Sequence, residues 1–339
     1  MARVKRAGSL EIPGGVQLRT FQRTDVSALV DVWNHSLSVD PIDLVRFVKQ
    51  VLCDPNFDSE GLQIAAHGSD VVGFCLAVER KLPLAGADLE PTEGWITAMG
   101  VRPDWQGVGV GTALLDAAEA FLRVRGKVNV HIAPYAPNYF WPGVDQEAYP
   151  VAGGWLTRRG YQERYVAAAM DKSLIGFAYP DDVRAVEAMR VKEGYTFQHL
   201  APELVHDVVR FAGEHFSADW ARAVRESIVQ DARWDQFLVA LHPEQTVVGF
   251  AMFGGYGGTL ERFGPFGVDA RERGKGLGKV LLYRTLAAMS ARGLHGAWFL
   301  WTGEQTPAGL LYHRAGFHIT RRFHVLHKKL TVEGGSDDA

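Results

Sequence analysis

Short apolar runs separated by turn residues, each set followed by one longer run at helical spacing, occur twice along the chain in the same order. In the first set, Val16-Gln17-Leu18-Arg19 predicts a strand and Asp25 to Val30 a helix. Leu62-Gln63-Ile64-Ala65-Ala66 and Val71-Val72-Gly73-Phe74 flank a His67-Gly68 turn and predict a β-hairpin. A third strand runs through Trp95 to Val101 into a glycine-rich turn. Val110, Ala113, Leu114, Ala117 and Phe121 then follow at the spacing of an amphipathic helix.

The second set repeats this pattern. Tyr195 to Gln198 leads into Glu203 to Val208, and Phe237 to Leu241 leads into Val247-Val248-Gly249-Phe250, the earlier tetrapeptide at an offset of 176. Val268 to Gly278 matches Val101 to Gly111 at an offset of 167, and Ala315-Gly316-Phe317 matches Arg159-Gly160-Tyr161 at 156. The falling offsets mean the same elements joined by shorter loops. Two domains are therefore expected, over residues 1–175 and 195–330, with a connector over 176–194 and a tail over 331–339. The connector predicts a helix from Asp181 to Lys192, begun by an Asp181-Asp182 cap. Strand, helix, hairpin, strand, turn, helix, strand, short helix and closing strands predict an α/β domain, an α+β mixed sheet with helices on both faces.

Composition narrows the setting without changing the architecture. The 339 residues are 47% hydrophobic and 22% charged, with a formal charge of −3, the balance of a soluble globular protein. No basic excess invites nucleic acid. Cys53 and Cys75 are too few for a disulfide framework, and no apolar stretch approaches a membrane span, so the cytoplasm is the expected location. His318, His324 and His327 fall in the closing strands without metal-site spacing, and no metal is expected.

The chemistry concentrates where strand meets helix. Gln106-Gly107-Val108-Gly109-Val110-Gly111 and Arg273-Gly274-Lys275-Gly276-Leu277-Gly278 each join a strand to a helix. Closely spaced glycines there leave backbone N–H groups uncovered at the positive helix end, which suits a pyrophosphate. Such turns also occur where a helix merely packs close to a sheet. Neither run ends in the Lys-Ser/Thr of a P-loop, and no parallel βαβ unit surrounds it.

Gln106-x-x-Gly109-x-Gly111 and Arg273-x-x-Gly276-x-Gly278 resemble the Gln/Arg-x-x-Gly-x-Gly/Ala motif of the GNAT acetyltransferase superfamily. The resemblance covers nearly the whole chain, once per repeat. It implies two tandem acyl-CoA N-acyltransferase domains, with acetyl-CoA as cofactor and the amides of 106–111 and 273–278 on its pyrophosphate. It also implies main-chain groups near Met99, Val101, Phe266 and Val268 along the pantetheine arm. Ala308-x-x-x-Tyr312-x-x-x-Gly316-Phe317 matches a second family motif, whose Tyr stands beside the thioester sulfur and protonates the leaving thiolate. A phenol with an ordinary pKa of about 10 lies close enough to a thiol for that role. Packing under the cofactor is the competing reading of Tyr312. The first copy reads Ala152-x-x-x-Leu156-x-x-x-Gly160-Tyr161, and Leu156 has no proton to give. Chemistry is thus expected in the C-terminal copy. Gln305 stands where many relatives have Asn, with the same hydrogen-bonding groups on a longer stem.

Glu261, on the approach to the second turn, is the candidate general base, or else a solvated carboxylate at a strand end. Pro137 to Asp145 places Tyr139, Phe140 and Trp141 in one stiff apolar loop that needs a cover, whether a ligand, the other repeat or another subunit, so a homodimer is among the expected assemblies. Trp220, Trp234, Trp298 and Trp301 serve either an acceptor pocket or the core. The expected activity is direct transfer of acetyl from acetyl-CoA to a primary amine of a small molecule or peptide. The alternative is a CoA-binding scaffold whose two domains have both lost turnover.

Overall fold

The structure, a computed structural model, describes residues 14–330. The expected tail over 331–339, and the residues before 14, lie outside the described residues. The chain forms two compact units that are not contiguous in sequence. Among the described residues, 14–82, 89–166 and 323–330 form the first, and residues 83–88 with 167–322 form the second. These units do not coincide with a division at 175 and 195, because each takes a closing strand from the far side of that division.

In the first unit, β1 (Val16–Thr20), β2 (Leu62–His67), β3 (Asp70–Val78) and β4 (Glu93–Val101) pair in order and antiparallel. The helical region between β1 and β2 is α1 (Val26–Ser36) and the short α2 (Leu44–Phe47). α3 (Val110–Val124) follows the first glycine turn, and β5 (Asn129–Ile132) returns parallel to β4, so the first turn does lie inside a parallel βαβ unit, contrary to the expectation from sequence; a four-residue β5 left too short an apolar run to show it. α4 (Pro150–Arg158) and the start of β6 (Gln162–Ser173) complete the copy. Leu114, Leu115 and Leu122 of α3 pack on one sheet face against Val72, Cys75 and Ile96, while Leu29, Val32 and Trp33 of α1 pack on the other against Ile64, Phe74 and Trp95. Alternate strand residues facing opposite layers are what a sheet covered on both sides requires.

The second unit repeats the order. α5 (Asp181–Lys192) has the bounds read from sequence, but Pro180 holds the cap position and the two aspartates sit in the first turn, where their charge favours the helix dipole. β7 (Thr196–His199), α6 (Val205–His215), α7 (Ala218–Val229), β8 (Phe237–Leu241), β9 (Val247–Phe253) and β10 (Phe263–Val268) follow, and the four strands pair antiparallel. α8 (Leu277–Ala291), β11 (Gly296–Thr302) and α9 (Pro307–Arg314) lead into β12 (His318–Lys329).

The closing strands are exchanged. Residues Leu326 to Lys329 of β12 pair antiparallel with β5 inside the first unit. Residues Ala168 to Ser173 of β6 pair antiparallel with β11 inside the second. No helix among the described residues is long and apolar enough to cross a membrane.

Candidate functional site

In each unit the parallel strand pair opens into a fork. β4 pairs with β5 from Glu93 to Ile96 and then continues to Val101 with β3 as its partner, while the approach to β10 meets β11 at a single parallel bridge, Arg262 to Trp298. An irregularity marks the opening both times. Opposite β3, Leu76 pairs with Ala98 and Ala77 with Ile96, so Thr97 is the extra residue of a bulge. Opposite β9, the register shifts between Phe263 and Phe266, around Gly264 and Pro265. A bulge bends its strand and ends regular pairing, which is how a strand leaves its neighbour.

The two glycine turns at the fork ends have the same backbone. A short 3-10 turn, Pro103–Trp105 or Ala270–Glu272, is followed by an extended Gln106 or Arg273. Then come left-handed glycines, Gly107 at φ 76° and Gly109 at 96° in the first copy, Gly274 and Gly276 at 81° in the second. Gly109 and Gly276 are the N-cap residues of α3 and α8, and neither helix has a side-chain cap. The first-turn amides of two 15-residue helices are thus left for an anion. A Cβ on Gly107, Gly109 or Gly274 would meet nothing within 4 Å among the described residues. At Gly276 it would lie 2.7 Å from Val186 Cγ1, so α5 packs beside the second turn. Gly111 and Gly278 instead lie against the strand, with Val101 Cγ2 3.7 Å and Val268 Cγ2 3.6 Å from a built Cβ.

The surroundings differ in charge. Gln106 donates to the Val101 carbonyl at 2.9 Å, tying the first turn to its strand. Arg273 is exposed and makes no ion pair among the described residues. Lys275 donates to Glu272 at 2.8 Å and to the Tyr195 hydroxyl at 2.7 Å. Glu272, through its bond to the Lys275 ammonium, raises the lysine pKa above its ordinary value. Lys279 pairs with Asp182 of α5.

Tyr312 sits in α9 after an N-cap Thr306 that accepts from Gly309 N. Its ring touches Phe299 at 4.5 Å and Phe317 at 5.5 Å between centroids, with Phe263 and Phe266 both at 6.0 Å. Its hydroxyl makes no hydrogen bond among the described residues, and burial raises its pKa above the ordinary phenol value. Burial thus favours the neutral phenol of Tyr312. Phe266, Val268 and Met99 are half-buried along the forks, and Val101 is buried. Leu156 is buried in the first core. Glu261 is half-buried, and its carbonyl accepts from Trp298 N at 3.0 Å on the paired side of the fork. No bond or ring contact among the described residues brings Glu261 and Tyr312 together.

The aromatic loop has its cover within its own unit. Phe140 and Trp141 lie 4.6 and 5.8 Å from the Trp33 ring of α1, and Phe140 is buried. The loop is pinned by Asn138, which donates to buried Asp54 at 2.6 Å, and by Tyr135, which donates to the same carboxylate at 3.0 Å. Trp234 and Trp301 are exposed, whereas Trp220 stacks on Phe216. Sequence reasoning missed Thr97, which is 2% exposed and whose Oγ1 has no partner among the described residues. The signal was present as a polar residue inside an apolar strand run.

Residues 33–140 match the profile of the acetyltransferase (GNAT) family, and residues 233–319 match that of a GNAT acetyltransferase domain. No curated protein matches the chain in sequence. Among solved structures, the GCN5-related N-acetyltransferase from Sphaerobacter thermophilus is similar at a TM-score of 0.70 and 17% identity, over 96% of this chain and 99% of that one. The tandem GNAT protein from the clavulanic acid biosynthesis pathway is similar at 0.63 and 14%, over 95% and 100%. The glucosamine N-acetyltransferase region of a fungal multi-domain GH3 β-N-acetylglucosaminidase is similar at 0.76 and 18%; 95% of this chain is covered, and it spans 38% of that chain. At such identities these likenesses show the fold, and the two profile matches show the lineage. The chain is a tandem, two-domain member of the GNAT acetyltransferase family.

Proposed function

We propose that the chain is an acetyl-CoA-dependent N-acetyltransferase that moves acetyl to a primary amine by direct attack in a ternary complex, with its chemistry in the second copy. The observation that carries this reading is that one unit places a neutral phenol, Tyr312, against both arms of a fork that ends in an uncapped glycine turn. The residues fit a CoA. Left-handed glycines, free helix amides and the exposed Arg273 suit a pyrophosphate, and half-buried Phe266 and Val268 suit an extended apolar arm.

Acetyl-CoA, when bound, supplies an activated acyl thioester. The amides of 273–278 hold its phosphates and leave the fork to orient the acyl end. Phe263, Phe299 and Phe317 keep water from the phenol. Tyr312 holds a proton at Oη for the departing sulfur, and burial prevents that proton from being lost to solvent at working pH. Glu261 is proposed to take the amine proton, directly or through water.

Release of free thiol from acetyl-CoA with a panel of primary amines tests the reading. Turnover that survives in a folded Tyr312→Phe chain at the wild-type rate overturns the role of Tyr312. A second reading, CoA binding without turnover, is favoured for the first copy by Leu156, and an absence of thiol release with every amine would extend it to the whole chain.

A further inference from the structure

The second glycine turn is held at three points by one segment, which runs from α5 to the residue before β7. Ahead of the turn, the Tyr195 hydroxyl donates to Glu272 at 2.6 Å. Lys275, between two left-handed glycines, donates to that hydroxyl at 2.7 Å and to the same carboxylate at 2.8 Å, which closes a triangle of polar contacts. At the helix start, Val186 Cγ1 lies 2.7 Å from where a Cβ of Gly276 would stand. Lys279, in the first turn of α8, pairs with Asp182. All of these residues belong to the second unit.

The first turn reaches the same backbone without this triangle. By the offset of 167, Val108 stands in the place of Lys275 and Trp105 in that of Glu272, so no ion pair can form there. Val108 is 46% exposed, and a Cβ on Gly109 meets nothing within 4 Å among the described residues. The frame is therefore not what the turn needs in order to form. Glycine loses more freedom on ordering than any other residue, so two left-handed glycines in three residues have much to lose when a ligand fixes them. A turn fixed beforehand removes that loss from the binding step. The contacts of buried Tyr195 involve charged partners and are of the strong class. The more exposed Lys279–Asp182 pair adds little by comparison.

We propose that Tyr195 and Val186 are positioning residues of the cofactor site: they preset the backbone of 273–276 to receive a pyrophosphate, Tyr195 through Lys275 and Glu272, Val186 through Gly276. The proposal rests on the reading that the turn 273–278 takes CoA. It makes the segment between the two copies a working part of the second.

The test uses the full chain carrying Gly107→Asp, so that calorimetric titration with acetyl-CoA reads the second turn. Tyr195→Phe removes one hydroxyl and keeps the ring against His242 and Lys275. Val186→Ala opens the space beside Gly276. Each is expected to raise the acetyl-CoA Kd about 3- to 10-fold, the worth of one hydrogen bond. Val186→Thr, which keeps an atom at both γ positions, is expected to restore the affinity. In steady state the KM for acetyl-CoA is expected to rise with the Kd, while kcat at saturating acetyl-CoA and the KM for the amine stay within about twofold of the parent. A mere loss of folded protein would lower kcat and leave both KM values in place. An unchanged or lower Kd in one folded variant would remove that residue from the role, and in both would overturn the proposal. If the Gly107→Asp parent bound no acetyl-CoA, the reading of the second turn would fall and the frame with it. That failure is visible in the parent alone, before any variant is compared.

Discussion

Asp269 accepts Nη2 and Nε of Arg271 at 2.6 and 3.0 Å across the second turn. In the first copy the equivalent positions hold Arg102 and Asp104, paired at 2.6 Å with the charges exchanged. The turn keeps the bracket and not its sign. The Arg271 guanidinium lowers the Asp269 pKa to about 2, aided by the Arg271 backbone N–H. A lowered carboxylate pKa stabilises the fold above the unfolded value of about 3.9, and that stability is lost as pH falls toward about 2. Asp269→Asn is expected to lower the melting temperature at neutral pH, and the difference from wild type to shrink between about pH 4 and 2. A difference that stays constant down to pH 2 would separate the carboxylate from the acid transition.

Gly107 and Gly274 offer a matched pair of probes, because both are left-handed with open space beside them. Asp tolerates that backbone better than most side chains and brings a negative charge to where phosphates are expected. Each of Gly107→Asp and Gly274→Asp is expected to cost about 1 kcal/mol in stability and to remove CoA binding at its own turn. Calorimetric stoichiometry of the two variants then counts the sites. Gly276 is a poorer probe, since any side chain there meets Val186.

Tyr312→Phe keeps the aromatic packing and removes Oη. The expected loss in kcat is about 10²- to 10⁴-fold, with acetyl-CoA affinity little changed, since on the proposed reading backbone amides of 273–278 would bind most of the cofactor. Burial raises the phenol pKa, so the wild-type rate is expected to show no loss from Tyr312 deprotonation as pH rises to 10. An alkaline limb in kcat that Tyr312→Phe abolishes would contradict the buried, neutral phenol.

Lys328 in β12 donates to both oxygens of buried Glu119 on α3, at 2.9 and 2.8 Å, and Tyr161 donates to the same carboxylate at 3.0 Å. Lys328→Met strands that carboxylate and is expected to destabilise the first unit by on the order of 3 kcal/mol. Adding Glu119→Leu is expected to recover most of the loss. Urea unfolding of the single and double variants measures both. A double variant no more stable than the single one would mean that the strand is held by its backbone pairing and not by this ion pair.

Element order and both turns were legible because they depend on local signals: apolar spacing, and glycines where φ must be positive. The bounds of α5 were legible from the acidic pair that opens it, although those aspartates fill its first turn and not its cap, but its packing was not. Val183 and Val186 are its inward residues, and reading the segment as a connector hid that they lie in the second core beside Gly276. The exchanged strands were invisible for a related reason. Lys328 and Glu119 are 209 residues apart, and nothing in either segment names its partner. The cover of the aromatic loop, Trp33, lies more than a hundred residues earlier and looks like any other apolar position of α1. Thr97 could be seen as an oddity in sequence, but its lack of a partner is a property of the folded chain.

The exchanged strands also impose an order on biosynthesis. The N-terminal copy leaves the ribosome first, yet the strand that completes it is translated only after residues 167–322. While residues 167–322 are translated, roughly 10 to 30 s at ordinary elongation rates, β5 has no neighbour on the side later taken by Leu326 to Lys329. For that interval the older half of the nascent chain presents an open sheet edge to chaperones and to other nascent chains. Its younger half already has every segment of its own unit in hand, so a message cut short near codon 322 would deprive the first copy, not the second, of its closing strand.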